Sequence, residues 1–158
     1  MGARTLIDIV WSDEFATGID IIDEQHQQLF EYFDQVQQML AHNDIENLPL
    51  VVQGLVDYAI SHNTFEESLM RDAGYPMLEA HHRVHENFKQ RALSYKSRLE
   101  AGEDPLVIAR EARTHIGLWL MNHIRREDQH YAPYVKKYLM QQDKGKIRLA
   151  VKRFFGMK

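Results

Sequence analysis

The sequence predicts an all-α protein: an up-down-up-down antiparallel four-helix bundle with an N-terminal arm and a short, basic C-terminal helical extension. Three observations predict it. Four long stretches carry apolar residues at three- and four-residue spacing, the period of a helix with one buried face. Gly, Pro and Asx residues punctuate the chain between them, leaving connections short enough to make neighbouring helices antiparallel. The 158 residues amount to one domain, large enough for a real core. Residues 1–140 are expected to form the bundle and 141–158 a basic amphipathic tail of the same unit.

Residues 1–19 read as an irregular arm with two apolar anchors, Trp11 and Phe15, and a turn at Gly18. Asp20 or Asp23 is expected to cap a first helix over about 21–41. Its stripe is Ile22, Leu29, Phe30, Phe33, Val36 and Leu40, and His26 falls inside it. The second helix is expected from about Leu48 to Arg71, with Pro49 in its first turn. Leu55, Tyr58, Ala59, His62, Phe65, Glu66 and Met70 share its inner face. A buried Glu is costly unless it is paired or bound to metal, and His62 lies one turn before Glu66.

Asp72-Ala73-Gly74-Tyr75-Pro76 supplies a Gly stop and a Pro restart. The third helix then spans about 76–101, with Leu78, His81, His85, Phe88, Ala92, Tyr95 and Leu99 on one seam. His82 falls on the polar face and reads as solvated. Asp104-Pro105 is an N-cap followed by Pro at the first helical position. The fourth helix, from 105 to the late 120s, turns Ala109, Ala112, Ile116, Trp119, Leu120 and His123 inward. A shorter helical piece, Tyr134 to Gln142, follows Pro133, and Lys144-Gly145-Lys146 breaks it. In the last segment Ile147, Leu149, Val151, Phe154 and Phe155 are available to pack as a cap on the bundle, with docking to a client protein or weak contact with anionic lipid as the other uses of this basic tail.

Composition limits the chemistry. With no cysteine, disulfides, thiolate zinc sites and cysteine-bound iron–sulfur clusters are excluded, so a metal must sit on nitrogen and oxygen. Nine histidines are many for this length. From Lys136 onward the chain carries a balance of +7, while residues 1–135 carry −11. An acidic body argues against nucleic acid as a partner. No apolar run reaches the length of a membrane span, and the N-terminal residues lack the pattern of a signal peptide, so a cytoplasmic location is expected.

The residues that organise the chain lie between His62 and His85. A four-residue step on a helix returns to the same face about 40° off. His62/Glu66 and His81/His85 can therefore each address one point from opposite sides of the Gly74 turn. His26 and His123 join them from the other two helices. Asp128 lies five residues after His123, about 140° away on a regular helix. It converges only if the intervening turn is loosened into a π-bulge, so a π-type hydrogen bond is expected between residues 123 and 129. Five imidazoles and two carboxylates exceed what one first-row metal takes. They imply two metals with carboxylate bridges, suited to iron, manganese, copper or zinc.

These motifs resemble those of hemerythrin, in its bacterial single-domain form. The matching residues are Trp11, Gly18-Ile19, Ile22-Asp23-x-Gln25-His26, His62-x-x-x-Glu66-Glu67, Tyr75-Pro76, His81-x-x-x-His85-x-x-Phe88 and Trp119-Leu120-x-x-His123-Ile124-x-x-x-Asp128. The resemblance implies a non-haem di-iron centre with an oxo or hydroxo bridge that binds O2 reversibly and is not an enzyme. It assigns His81, His85 and His123 to one iron, and His26 and His62 to the other, which keeps the open position. Glu66 and Asp128 bridge. Leu120, Ile124, Trp119 and Phe30 are expected to line an apolar O2 pocket. The alternative on the same fold is a di-iron redox enzyme or an iron-, nitric oxide- or peroxide-handling protein. A ferritin-like carboxylate enzyme is disfavoured, because Glu79-x-x-His82 falls on a polar face and Glu127-x-x-His130 at a helix end.

Overall fold

Each predicted apolar stripe becomes the buried face of a helix. α1 spans Asp20–Ala41, α2 Leu48–Asp72 and α3 Leu78–Glu100. The fourth segment comprises α4 (Pro105–Asn122), one π-helical turn (His123–Glu127) and α5 (Asp128–Met140). This computed structural model describes residues 10–142 together with Arg148, Val151, Lys152 and Phe155. Among the described residues there is no strand, and no helix is long and apolar enough to cross a membrane.

The helices close into a ring, α1 on α2, α2 on α3, α3 on α4 and α4 on α1, with α5 against α2. Their ends explain the reversals. After α2, Gly74 adopts φ +69°, its N–H donates to Arg71 O (3.1 Å), and Tyr75 N–H reaches back to Met70 O (2.9 Å). This Schellman closure satisfies the last carbonyls while turning the chain back on itself. It recurs around Asn43 after α1, where Asp44 N–H donates to Met39 O (3.0 Å), and around Gly102 after α3, where Glu103 N–H donates to Arg98 O (3.1 Å). At the start of α4, Asp104 accepts from Leu106 N–H at 3.0 Å beside Pro105, as the sequence predicts.

The expected cap of α1 is different. Ile19 occupies the cap position and no side chain caps the helix. Asp23, one turn inside, points backwards and accepts from Thr17 N–H (2.8 Å), Thr17 Oγ1 (2.8 Å) and Gly18 N–H (3.1 Å). It fastens the arm instead of the helix. The arm is also held by its predicted anchors: a single 3-10 turn at Asp13–Phe15 buries Phe15, and Trp11 meets Phe30 edge-on at 5.7 Å. The third helix begins at Leu78, two residues later than expected. The piece expected from Tyr134 is part of α5, which runs through Pro133 from Asp128.

The apolar interior falls into two clusters. One contains Leu29, Phe30, Phe33, Val36, Val52, Leu55, Phe88, Ala92, Ile108, Ile116, Leu120 and Ile124. The other contains Ile19, Ile22, Phe65, Leu69, Met70, Tyr75, Tyr131 and Val135. Each large side chain here contributes about 1.5–3 kcal/mol by leaving water. His26 falls between Ile22 of the second cluster and Leu29 of the first; His81 and His85 fall between Tyr75 and Phe88. Each apolar cluster thus closes one end of a buried polar layer. Val151 and Phe155 pack against the second cluster, with the Phe155 ring 5.4 Å from Tyr58 and 5.8 Å from Phe65. The predicted break at Lys144-Gly145-Lys146 and the packing of Ile147, Leu149 and Phe154 lie outside the described residues.

Candidate metal centre

All seven donors predicted from the sequence, His26, His62, Glu66, His81, His85, His123 and Asp128, are brought together at 0–4% exposure. Their donor atoms form two overlapping groups. One is Glu66, His81, His85, His123 and Asp128; the other is His26, His62, Glu66 and Asp128, with the ligand atoms in each within 4.8 Å of one another. Both carboxylates belong to both groups.

Helical geometry explains how each donor arrives. His62/Glu66 and His81/His85 are four-residue pairs on the inner faces of α2 and α3. Asp128 depends on the π-helical turn. Its N–H donates to His123 O, an i→i+5 bond. The π-bulge is therefore present, but its bond ends at residue 128 and not at the expected 129, since five residues from His123 is Asp128. The extra residue in the turn brings Asp128 Oδ1 to 3.0 Å from His123 Nε2.

The contacts are those of a metal site better than those of a hydrogen-bonded core. His26 Nε2 lies 3.1 Å from Glu66 Oε1 and 3.1 Å from Asp128 Oδ2. His81 Nε2 lies 3.3 Å from Asp128 Oδ1, and His62 Nε2 meets Glu66 Oε1 directly. His85 Nε2 and His123 Nε2 face each other at 3.0 Å. On neutral rings with Nδ1 protonated these are two lone pairs pointing at one spot, which a cation between them would reconcile. Glu66 Oε2, His81 Nε2 and both Asp128 oxygens are buried without a hydrogen bond among the described residues. Orphaned buried acceptors of this kind call for an ion.

Without metal, the layer holds its charge by pairing. Burial pulls the His26 imidazole down, but the Asp128 and Glu66 carboxylates beside it raise it to about 9. His81 is raised to about 10 by the same two carboxylates against the same burial. Burial pushes Glu66 up, yet the His62 charge and bonds from the imidazoles hold it well below the usual carboxylate range. Asp128 is likewise lowered, against burial and repulsion from Glu66, by His123 and His26. His85 goes the other way: burial lowers it, with repulsion from His123 and His81.

Two residues that sequence reasoning placed in the motif, without giving them a role, set the imidazoles. His62 Nδ1–H donates to the buried Gln25 Oε1 at 2.7 Å. His85 Nδ1–H donates to Glu67 Oε2 at 3.1 Å. Each bond fixes the tautomer that leaves Nε2 bare for a metal. Glu67 also corrects the reading of His82. That ring is half-exposed, but its Nδ1 is bonded to Glu67 Oε1 and not simply solvated. Tyr131 was missed altogether. It is fully buried with its ring 5.6 Å from that of His81, and burial followed by the Glu66 and Asp128 charges pushes its phenol well up. Its signal was only its position, three residues after Asp128.

Around the donors, Trp119 stacks on His123 at 4.3 Å and on Phe88 at 4.0 Å. Leu120, Ile124 and Phe30 are buried in the first apolar cluster. The ferritin-like pairs do not converge: Glu79 pairs with Arg83 at the surface, and His130 is exposed.

Comparison with known proteins gives one consistent result. The family model described as the hemerythrin HHE cation binding domain matches residues 17–135. The chain is 43% identical over 155 residues to a bacteriohemerythrin of Stenotrophomonas maltophilia, covering 94% of this chain and 98% of that one. It is 37% identical over 153 residues to a bacteriohemerythrin of Pseudomonas aeruginosa, with 94% and 98% covered. A crystal structure of wild-type hemerythrin superposes with a TM-score of 0.71 at 26% identity, covering 81% of this chain and 98% of its own.

Proposed function

The chain belongs to the hemerythrin family, whose function is O2 binding, and from that premise we propose that this protein binds O2 reversibly at a carboxylate-bridged di-iron centre. His81, His85 and His123 hold one iron; His26 and His62 hold the other, which keeps the open position for O2. Glu66 and Asp128 bridge the pair. The observation that carries this reading is the sharing of both carboxylates by two donor groups, three imidazoles in one and two in the other. The iron pair, when bound, supplies the reversible two-electron chemistry with O2.

The chain's own residues supply everything else. Gln25 and Glu67 orient the imidazoles from behind. The two apolar clusters keep bulk water from the donor layer, which favours reversible binding over oxidation. Leu120, Ile124, Trp119 and Phe30 form the apolar wall on one side. The carboxylates are held ionised, ready to bridge, by the imidazoles around them.

The experiment is optical. Iron is quantified, the protein is reduced without air, O2 is admitted, and the near-ultraviolet and visible spectrum is recorded. Two irons per chain, and a charge-transfer band that comes with O2 and leaves on its removal, are expected. Immediate irreversible oxidation would move the function to redox chemistry on the same site. Absence of iron binding would overturn the reading.

A further inference from the structure

A protein that holds ferrous iron beside O2 oxidises in time, and an oxidised copy returns to service only if an electron reaches it. One cleft between α3 and α4 lies a single side chain from the donor layer. The cleft measures about 730 Å³ and is lined by Arg91, Arg110, Glu111, Thr114, His115 and Trp119, with Leu118 and Asn122 at its margin. Trp119 belongs to both worlds. Its edge lines the cleft, while its ring stacks on His123 at 4.3 Å with the planes 14° apart. A single side chain therefore separates the cleft from an iron-binding imidazole.

The charge of the cleft is out of keeping with its surroundings. The body to residue 135 carries −11, yet the exposed Arg91 and Arg110 make no ion pair among the described residues. The one carboxylate in the lining, Glu111, is already held by Arg98 at 2.6 and 3.3 Å. His115 adds a buried Nδ1 with no hydrogen-bond partner. Two guanidiniums outside any ion pair among the described residues, an imidazole nitrogen and an amide from Asn122 make a polar, cationic surface suited to a phosphate or carboxylate. On an otherwise acidic protein such a cleft concentrates small anions.

We propose that this cleft is the port at which a small anionic one-electron donor docks and returns oxidised iron to the ferrous form through Trp119 and His123. The inference rests on the di-iron reading above. Each event moves one electron from the donor through the Trp119–His123 stack to a ferric ion, which becomes ferrous. The donor's proton goes to water, and two events restore the pair. A reduced flavin bearing a phosphate has the required charge and chemistry.

The test compares reduced flavin mononucleotide with reduced riboflavin, which carries the same redox ring without the phosphate. With the oxidised iron protein under anaerobic mixing, the phosphorylated flavin is expected to react at least about tenfold faster at low salt. Arg91→Glu/Arg110→Glu should abolish that advantage while leaving the riboflavin rate unchanged, and Arg91→Lys/Arg110→Lys should keep most of it. A second readout needs no iron. Oxidised flavin mononucleotide titrated into metal-free protein should show binding by fluorescence that the charge-reversed variant loses. Equal rates for the two flavins, an advantage that survives charge reversal, or no binding to the metal-free wild type would each overturn the proposal. The O2-dependent spectrum is expected to be the same in all three proteins. Its absence from the wild type would count against O2 binding, while the metal-free titration would still read the cleft.

Discussion

The two halves of the donor layer are built on different principles. The half with His81, His85 and His123 brings three imidazoles from α3 and the π-helical turn, and a charged carboxylate, Glu67, backs one of them. The half with His26 and His62 brings two imidazoles from α1 and α2, backed by a neutral amide, Gln25. Glu66 and Asp128 are common to both. The difference teaches how one fold gives two adjoining sites unequal numbers of donors. A charged partner makes its imidazole a stronger donor than an amide does, so the fuller half is also the more tightly braced. On the proposed reading, the half with fewer imidazoles is the one that takes the exogenous molecule.

The largest effect should come from removing what the halves share. Asp128→Ala is expected to lower iron to at most one per chain and abolish the O2-dependent band. His62→Ala, by contrast, should empty only its own half, leaving close to one iron. Metal analysis decides, and loss of both irons from His62→Ala would show that the halves do not load separately. Leu120→Ala comes next. It removes a buried side chain one turn from His123 and should cost about 2–5 kcal/mol of stability by denaturant midpoint. It should also speed autoxidation by admitting water, and an unchanged autoxidation rate would discard Leu120 as part of the barrier.

The two backing residues test the asymmetry itself. Glu67→Gln should weaken iron retention against a chelator by about 10–100-fold, and Gln25→Leu by the low end of that range. A larger loss from Gln25→Leu would reverse the ranking of the halves. The smallest effect is on the metal-free protein. His26 and His81, raised to about 9 and 10, lend stability that is complete below the ordinary imidazole value near 6.5 and is lost as pH climbs through 9 to 10. Glu66 and Asp128, both lowered, lend stability that is complete above about 4 and is lost on acidification. The urea midpoint of metal-free protein should therefore be higher at pH 5.5 than at pH 9.5. Metal loading should run the other way, strengthening as pH rises and the imidazoles shed their protons.

Much of this was legible before any coordinates. Helical period places His26, His62, Glu66, His81, His85 and His123 on buried stripes because one-dimensional spacing maps directly onto a helix face. Asp128 was legible through its misfit: a five-residue step reaches the same point only through a π turn. Spacing located the turn, but the predicted hydrogen bond overshot by one residue. The cap of α1 was misread because Asp23 had two sets of orphan N–H groups within reach. The arm, folded against it by Phe15 and Trp11, competed successfully.

The sequence by itself determined the helices, their reversals and which seven side chains face one buried layer, because these depend on local spacing and on the φ preferences of residues such as Gly74. Only the tertiary structure decided what stands behind each imidazole. His62 and Gln25 are 37 residues apart, and His26 and Glu66 are 40 apart. Such pairs meet through the facing of separate helices and the choice of side-chain rotamers. A cationic cleft on an acidic body is a fact of the same kind. Arg91 and Arg110 are ordinary surface residues until α3 and α4 set them in one cleft with Trp119.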